Sequence, residues 1–416
     1  MSKDGRGRYE SASWTPAFAH SGRRGGAGFY RAFIPDPVAD FEPELSAATS
    51  ALSERAGAAV RELNTSASAL LPLEGLARQL LRSEALASSA LEGLQLSHRK
   101  LARAEVEGKA GDFKAREVLG NARAMEEAVR IGSETGNLTV DDIKSIHRTL
   151  AIVPPLDRIA GRLREEQGWI GGSSPPRAAY VPPPHEHVPR LASDLCDFMN
   201  RDDISPVAQA AIAHAQFETI HPFGDGNGRV GRCLIHVLFK RRGVAIRYVP
   251  PVSLVLGANK DAYIAGLEDF RANRVDDWVE QFARAVGIAA EHAETFSAQV
   301  ADLQAEWRKR AEPMRADATA RAIIDHLPSF PIITSAIAEQ LTARTRVAAI
   351  NGLDHLAEAG ILTRHRNQRK GDSWEAKELF ILLDRFEAAV KDPGLPLCQA
   401  RLPSLQVLDE LREERL

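Results

Sequence analysis

Cysteine is nearly missing from this chain. The three present in 416 residues, Cys196, Cys233 and Cys398, are too few and too scattered for a disulfide framework or a cysteine zinc cluster. Long apolar runs are missing as well. No stretch approaches the roughly 18 apolar residues of a membrane helix, and the opening MSKDGRGRYESASW lacks the apolar segment of a secretory signal. Nor does charge of one sign predominate: 53 basic and 56 acidic residues leave a net charge of -3, which argues against a chain that coats nucleic acid generally. These shortages point to a soluble protein with no membrane partner and with the cytoplasm as its expected compartment. Core-forming residues, by contrast, are plentiful. At 44% hydrophobic, the chain is long enough for two or three domains.

One run of twelve residues stands apart: His221, Pro222, Phe223, Gly224, Asp225, Gly226, Asn227, Gly228, Arg229, Val230, Gly231 and Arg232. Residues 207–220 before it and 229–240 after it both carry apolar residues at helical spacing, so the run predicts a loop joining two helices. Glycines at 224, 226 and 228 remove the Cβ atoms that would keep a ligand away and permit positive φ. The second helix then aims unpaired N–H groups and the positive end of its dipole at the loop, an arrangement suited to an anion. Arg229 and Arg232 share a face one turn in, within reach of the same polyphosphate. Asp225 is placed to hold Mg²⁺ against phosphate oxygens. His221, with an ordinary pKa of about 6.5, can accept a proton at neutral pH.

Three other readings of these letters fail or are weak. Residues 226–231 match the G-x-G-x-x-G dinucleotide fingerprint, but a helix rather than a strand precedes them and the acid expected some 20 residues on is missing. Asp225 and Asn227 resemble the start of a calcium loop, yet Val230 replaces its turn glycine and His236 its bidentate Glu. His214 and His221 have no third zinc ligand, and His214 reads better as a hydrogen-bonded histidine between helices.

The string HPFGDGNGRVGR resembles the HPFx[D/E]GNGRxxR signature of Fic domains, whose members mostly transfer AMP from ATP to a protein hydroxyl. The resemblance implies His221 as general base, Phe223 as core anchor and Asp225 as the Mg²⁺ ligand. It implies Gly226, Asn227 and Gly228 as the phosphate-binding loop, with Arg229 and Arg232 on the ATP phosphates. Gly228 favours AMP transfer, because kinase-like relatives carry lysine there. Upstream, Ser88, Glu92 and Gly93 match the family's [S/T]xxxE[G/N] inhibitory motif, near a break between two helices in residues 74–103. A carboxylate docked on Arg232 takes the guanidinium that the γ-phosphate needs. Residues 169–184, rich in Gly and Pro, are bounded like a short hairpin and resemble the Fic flap, which pairs with an extended stretch of the target. The flap residues expected at that surface are Ser173, Ser174, Pro175, Ala179, Tyr180 and Val181. Tyr263 matches a family tyrosine near the adenine, and could equally be core.

The expected architecture is all-α: a Fic-domain helical core at 115–291 with a short β-hairpin flap, preceded by a helical region at 29–114 and a disordered stretch at 1–28. A linker helix at 292–317, a winged helix at 318–390 and a tail at 391–416 follow. In the winged helix, Thr342, Arg344, Thr345 and Arg346 open the candidate recognition helix, and Arg364, Arg366, Arg369 and Lys370 form the wing. A DNA-binding regulator is therefore the rival function. Asp354, Glu358 and the acids flanking the wing leave protein docking or dimerisation equally open. The leading expectation is an adenylyltransferase using ATP and Mg²⁺ on a protein hydroxyl, its own included, with Glu92 as an internal inhibitor. Removal of AMP at the same site, with Glu92 orienting water, and transfer from another nucleotide are the alternatives. The oligomeric state, a homodimer among the options, is not legible.

Overall fold

A computed structural model describes residues 5–15, 27–66, 73–108, 112–134, 136–311, 318–367 and 371–391. The chain opens with an antiparallel pair, β1 (Gly7–Trp14) and β2 (Gly28–Pro35). Helices follow: α1 (Ala47–Ser66), α2 (Leu73–Leu91), α3 (His98–Glu107), α4 (Phe113–Gly132), α5 (Val140–Leu150), α6 (Val188–Met199), α7 (Pro206–Ile220), α8 (Asn227–Arg241), α9 (Val252–Ala258), α10 (Lys260–Arg271) and α11 (Val275–Ala311). The C-terminal part runs α12 (Ala318–His326), β3 (Ile332–Thr334), α13 (Ser335–Thr342), α14 (Arg346–Glu358), β4 (Thr363–His365), β5 (Ser373–Glu375) and α15 (Lys377–Lys391), its strands ordered β3-β5-β4. The fold is predominantly helical, as expected. Among the described residues, no helix is long and apolar enough to cross a membrane.

The central helix is α7. Its residues 207–220 are all buried, which its alanine-rich, all-round apolar sequence dictates. Two of its polar side chains bond backbone carbonyls: Gln209 donates to Phe198 O (2.9 Å) and Arg201 O (2.8 Å), and Thr219 to Ala215 O. Trp278 donates to Ala211 O at 2.8 Å, tying α11 to α7. A first core gathers around α7 and α8; a second gathers the far half of α11 with α12 to α15. Helix α2 belongs to both, with Leu76 and Leu80 in the second core and Ala85 and Leu91 in the first. Gln79 and Arg82 of α2 also donate to the carbonyls of Pro328 and Ser329.

Two expectations need correction. The stretch 1–28 contains β1, whose Tyr9 stacks edge-on against Phe33 (5.2 Å) under the Arg31 guanidinium. Its Gly, Ser and Arg content reads as disorder only until the apolar partner strand β2 is considered; residues 1–4 and 16–26 lie outside the described residues. The boundary at 291/292 falls inside α11, a single helix of 37 residues whose buried side runs unbroken through Ala289, Ala293, Phe296, Val300 and Leu303. Of the four wing residues, Arg364 is held by Asp354 (2.9 Å) and Asp372 (2.6 Å), Arg366 is exposed, and Arg369 and Lys370 lie outside the described residues. The 391–416 tail lies outside them beyond Lys391, and with it Cys398; Cys196 and Cys233 are buried free thiols.

Candidate functional site

The twelve-residue run is a helix–loop–helix junction. Helix α7 ends on His221, whose backbone is left-handed (φ 50°) while its N–H still bonds Phe217 O at 2.8 Å. A non-glycine residue held there is strained, and such strain concentrates at functional positions. Asn227, the first residue of α8, clamps the loop from within: its Oδ1 accepts from Phe223 N and its Nδ2 donates to Phe223 O, both at 2.8 Å. That amide thereby fixes the shape of the loop. Phe223 is buried and stacks face to face on His147, centroids 3.9 Å apart. Gly161 N donates to His147 Nδ1 (2.9 Å), so Nε2 carries the proton and donates to Asp225 O (3.1 Å).

Burial, reinforced by the Arg164 charge, lowers the His221 pKa to about 4, so the imidazole is neutral at pH 7. Arg164 donates to His221 O at 2.8 Å and to Glu166 O at 3.0 Å, joining the loop to the segment before the flap. Glu218, one turn before His221, is buried; desolvation raises its carboxyl to about 7 against the opposing pull of Arg232. His147, Arg164 and Glu218 are the residues of this site that sequence reasoning missed.

Arg232 is buried and tied to α2 and Glu92. Its Nε donates to Ser88 Oγ, and one terminal nitrogen donates to Ser88 O and Glu92 Oε1, all at 2.8 Å. Burial alone would raise the Glu92 carboxyl; the charge and hydrogen bond of Arg232, with Arg229 and Lys260, outweigh it and hold it below the usual range. Ser88 lies on α2, and Glu92 follows that helix's end, where Gly93 takes φ 84° and closes it. Glu92 lies directly over Gly228, so that a Cβ there would collide with its carboxylate. Arg229 is also buried, but its Nε and one terminal nitrogen have no partner among the described residues. Asp225 is exposed (63% of its side chain), with Arg229 at 3.9 Å. No group of three metal-ligating side chains occurs among the described residues. One exposed carboxylate beside unpaired guanidinium donors suits a cation that arrives with phosphates rather than one caged by protein.

Tyr263 does not stand on an open face. It is buried in α10, its hydroxyl 2.7 Å from His214 Nε2, beneath Arg232. The flap departs from a hairpin: a single bridge joins Ile170 and Tyr180, and residues 175–177 form one 3-10 turn. Prolines at 175, 176 and 182–184 have no N–H for a ladder. Ser174, Pro175 and Val181 are buried, and Val181 O already accepts from Phe33 N. Ser173 and Ala179 are exposed, together with Trp169 and Ile170; Tyr180 is half-buried, donating to Thr219 O at 2.8 Å.

Comparison with known proteins gives two family matches: "Fic/DOC family" over residues 137–239 and "Fic/DOC family N-terminal" over residues 50–130. The chain is 32% identical over 169 residues to protein adenylyltransferase fic-1 of Caenorhabditis elegans, covering 37% of this chain and 30% of that protein. It is 34% identical over 154 residues to protein adenylyltransferase Fic of Drosophila willistoni, covering 36% and 28%. The chain thus spans about three tenths of the length of these relatives. In fold it is similar to a crystal structure of a Fic family protein from Desulfovibrio desulfuricans G20, with a TM-score of 0.51 and 24% identity over 81% of this chain and 98% of that one.

Proposed function

We propose that this chain, which belongs to the Fic/DOC family, is a protein adenylyltransferase that transfers AMP from ATP to a hydroxyl of Tyr, Ser or Thr on a protein, and that Glu92 restrains it. The observation that carries the reading is the contrast between two buried arginines: Arg229 has unpaired donors, whereas Arg232 is occupied by Ser88 and Glu92. Unpaired buried guanidinium donors are costly unless a ligand completes them, and a triphosphate supplies the acceptors. The relatives named protein adenylyltransferase support the same chemistry.

In this mechanism the loop N–H groups and Arg229 bind the phosphates. Asp225 would hold Mg²⁺, which neutralises phosphate charge when bound. The target hydroxyl attacks the α-phosphate as neutral His221 takes its proton, and pyrophosphate leaves; catalysis is mainly positioning and charge stabilisation. Trp169, Ile170, Ser173 and Ala179 offer the target an exposed edge. The C-terminal helices and sheet are read as a winged helix engaged with α2 and α11, with DNA a weaker partner because Arg364 is neutralised. The cytoplasm is the proposed compartment. The test is incubation of Glu92→Gly protein with Mg²⁺, ATP labelled at the α-phosphate and a lysate. Mass spectrometry should find AMP on protein side chains; a protein that labels neither itself nor any lysate protein would refute the reading.

A further inference from the structure

Helices α2 and α8 meet through polar side chains at a regular spacing. On α2 and just past its end stand Glu84, Ser88 and Glu92; on α8 stand Gly228, Arg232 and His236, each set four residues apart and so on one helical face. The sets run in opposite directions: Glu92 lies over Gly228 and bonds Arg232, Ser88 bonds Arg232, and Glu84 faces His236. The first two contacts belong to the inhibitory motif. The third does not, and nothing in the proposed chemistry uses it.

The Glu84 carboxylate is fully buried and fully engaged. Its Oε1 lies 3.0 Å from His236 Nε2, Ser253 N donates to Oε2 at 2.8 Å, and Ser253 Oγ donates to Oε1. His236 and Ser253 are themselves fully buried. Two donors of Ser253, at the start of α9, converge on the carboxylate, and His236 of α8 approaches it without a hydrogen bond. A slip of α2 by one residue would leave the carboxylate and both Ser253 donors unpaired inside the core. A packed apolar face tolerates such a slip far better, since hydrophobic contact is not directional. Glu92, by contrast, stands past the helix end, with 40% of its side chain exposed, and is held by its one bond to Arg232.

We infer that Glu84, held by His236 and Ser253, is a positioning residue that fixes the register of α2 on α8 and so keeps Glu92 on Arg232. This rests on the reading of Glu92 as the restraint. Glu84→Gln removes the charge that faces His236 and turns one acceptor oxygen into an NH₂ donor, so either Ser253 N loses its acceptor or the Ser253 Oγ bond must reverse. Self-labelling from α-phosphate-labelled ATP with Mg²⁺ should rise roughly tenfold with Glu92 still present. Calorimetry should show tighter binding of ATP with Mg²⁺. In a Glu92→Gly background the same change should add nothing, because no restraint remains to release.

A purely structural role would lower the melting temperature and leave labelling and ATP affinity at parent levels. That result, with Glu92→Gly activated in parallel, overturns this inference and leaves the proposed function standing. If Glu92→Gly is not activated either, the reading of Glu92 falls and this inference with it. Should Glu84→Gln fail to fold, His236→Leu removes the contact from the α8 side while Ser253 keeps its bonds to Glu84. Activation of that variant supports the positioning role, and parent-level labelling refutes it.

Discussion

Glu92→Gly should activate AMP transfer, and the size of the effect can be worked from three hydrogen bonds. Arg232 makes two bonds to Ser88 and one to Glu92, each 2.8 Å long. Only the last must be surrendered before a γ-phosphate can take the guanidinium. A charge-assisted bond contributes about 1.5–3 kcal/mol net, and each 1.4 kcal/mol is tenfold, so release is worth roughly 10- to 150-fold. Because the Glu92 side chain is 40% exposed, solvent screening favours the lower end. The fold should survive, since Arg232 keeps both bonds to Ser88 and glycine meets no obstacle past the helix end. The assay is initial-rate transfer from labelled ATP with Mg²⁺, alongside calorimetric ATP affinity and a thermal melt. Arg232→Ala added to Glu92→Gly should cancel the gain. Two results would refute the reasoning: Glu92→Gly no faster than the parent, or a gain that persists without Arg232. In the first case a release assay on pre-modified protein would test whether Glu92 instead serves AMP removal.

His221→Ala should fold and bind ATP but lose about 10²- to 10⁴-fold in transfer; labelling at the parent rate would remove His221 from the chemistry. Since burial lowers His221 to about 4, the acid limb of kcat/KM should lie well below the usual imidazole range. The Glu92 charge raises that pKa, so Glu92→Gly should move the limb lower still; a profile falling near pH 6.5 counts against the buried base. Asp225→Ala should abolish activity together with its Mg²⁺ dependence, and Arg229→Ala should weaken ATP binding by roughly 1.5–3 kcal/mol, both measurable by calorimetry across a Mg²⁺ titration. Gly231→Ala drives a methyl into Glu218 Oε1 and to 2.9 Å from the Phe217 ring; overpacking of this kind costs about 1–3 kcal/mol, seen as a lower melting temperature.

The residues that read most clearly are those whose geometry is local. His221, Asp225, Gly226, Gly228, Arg229 and Arg232 occupy one loop and one helical turn, so spacing alone brings them together. Ser88 and Glu92 are 144 and 140 residues from Arg232; periodicity could not pair them, and only the family resemblance did. His147 had no such guide: it supports the loop from 78 residues away through a stacking face and one proton, and it stands in an ordinary amphipathic helix. Arg164 carries the same lesson, because its acceptors are backbone carbonyls, which leave no trace in the letters. The flap misled for a different reason. Gly and Pro content marks a turn, but prolines that mark the turn also remove the N–H groups a hairpin would need. The strand β1 was hidden because half of its stabilisation resides in its partner.

The uninterrupted α11 has a consequence for how the molecule comes apart. At about 1.5 Å per residue, its 37 residues reach roughly 55 Å, and the same rod supplies Trp278 and Phe282 to one core and Phe296 and Trp307 to the other. Cutting the chain at 291 would therefore not free an intact N-terminal half; it would fray a helix mid-span and expose aromatic surface on both fragments. Heat should melt the two halves in one cooperative transition, and a protease should find its earliest nick outside this rod.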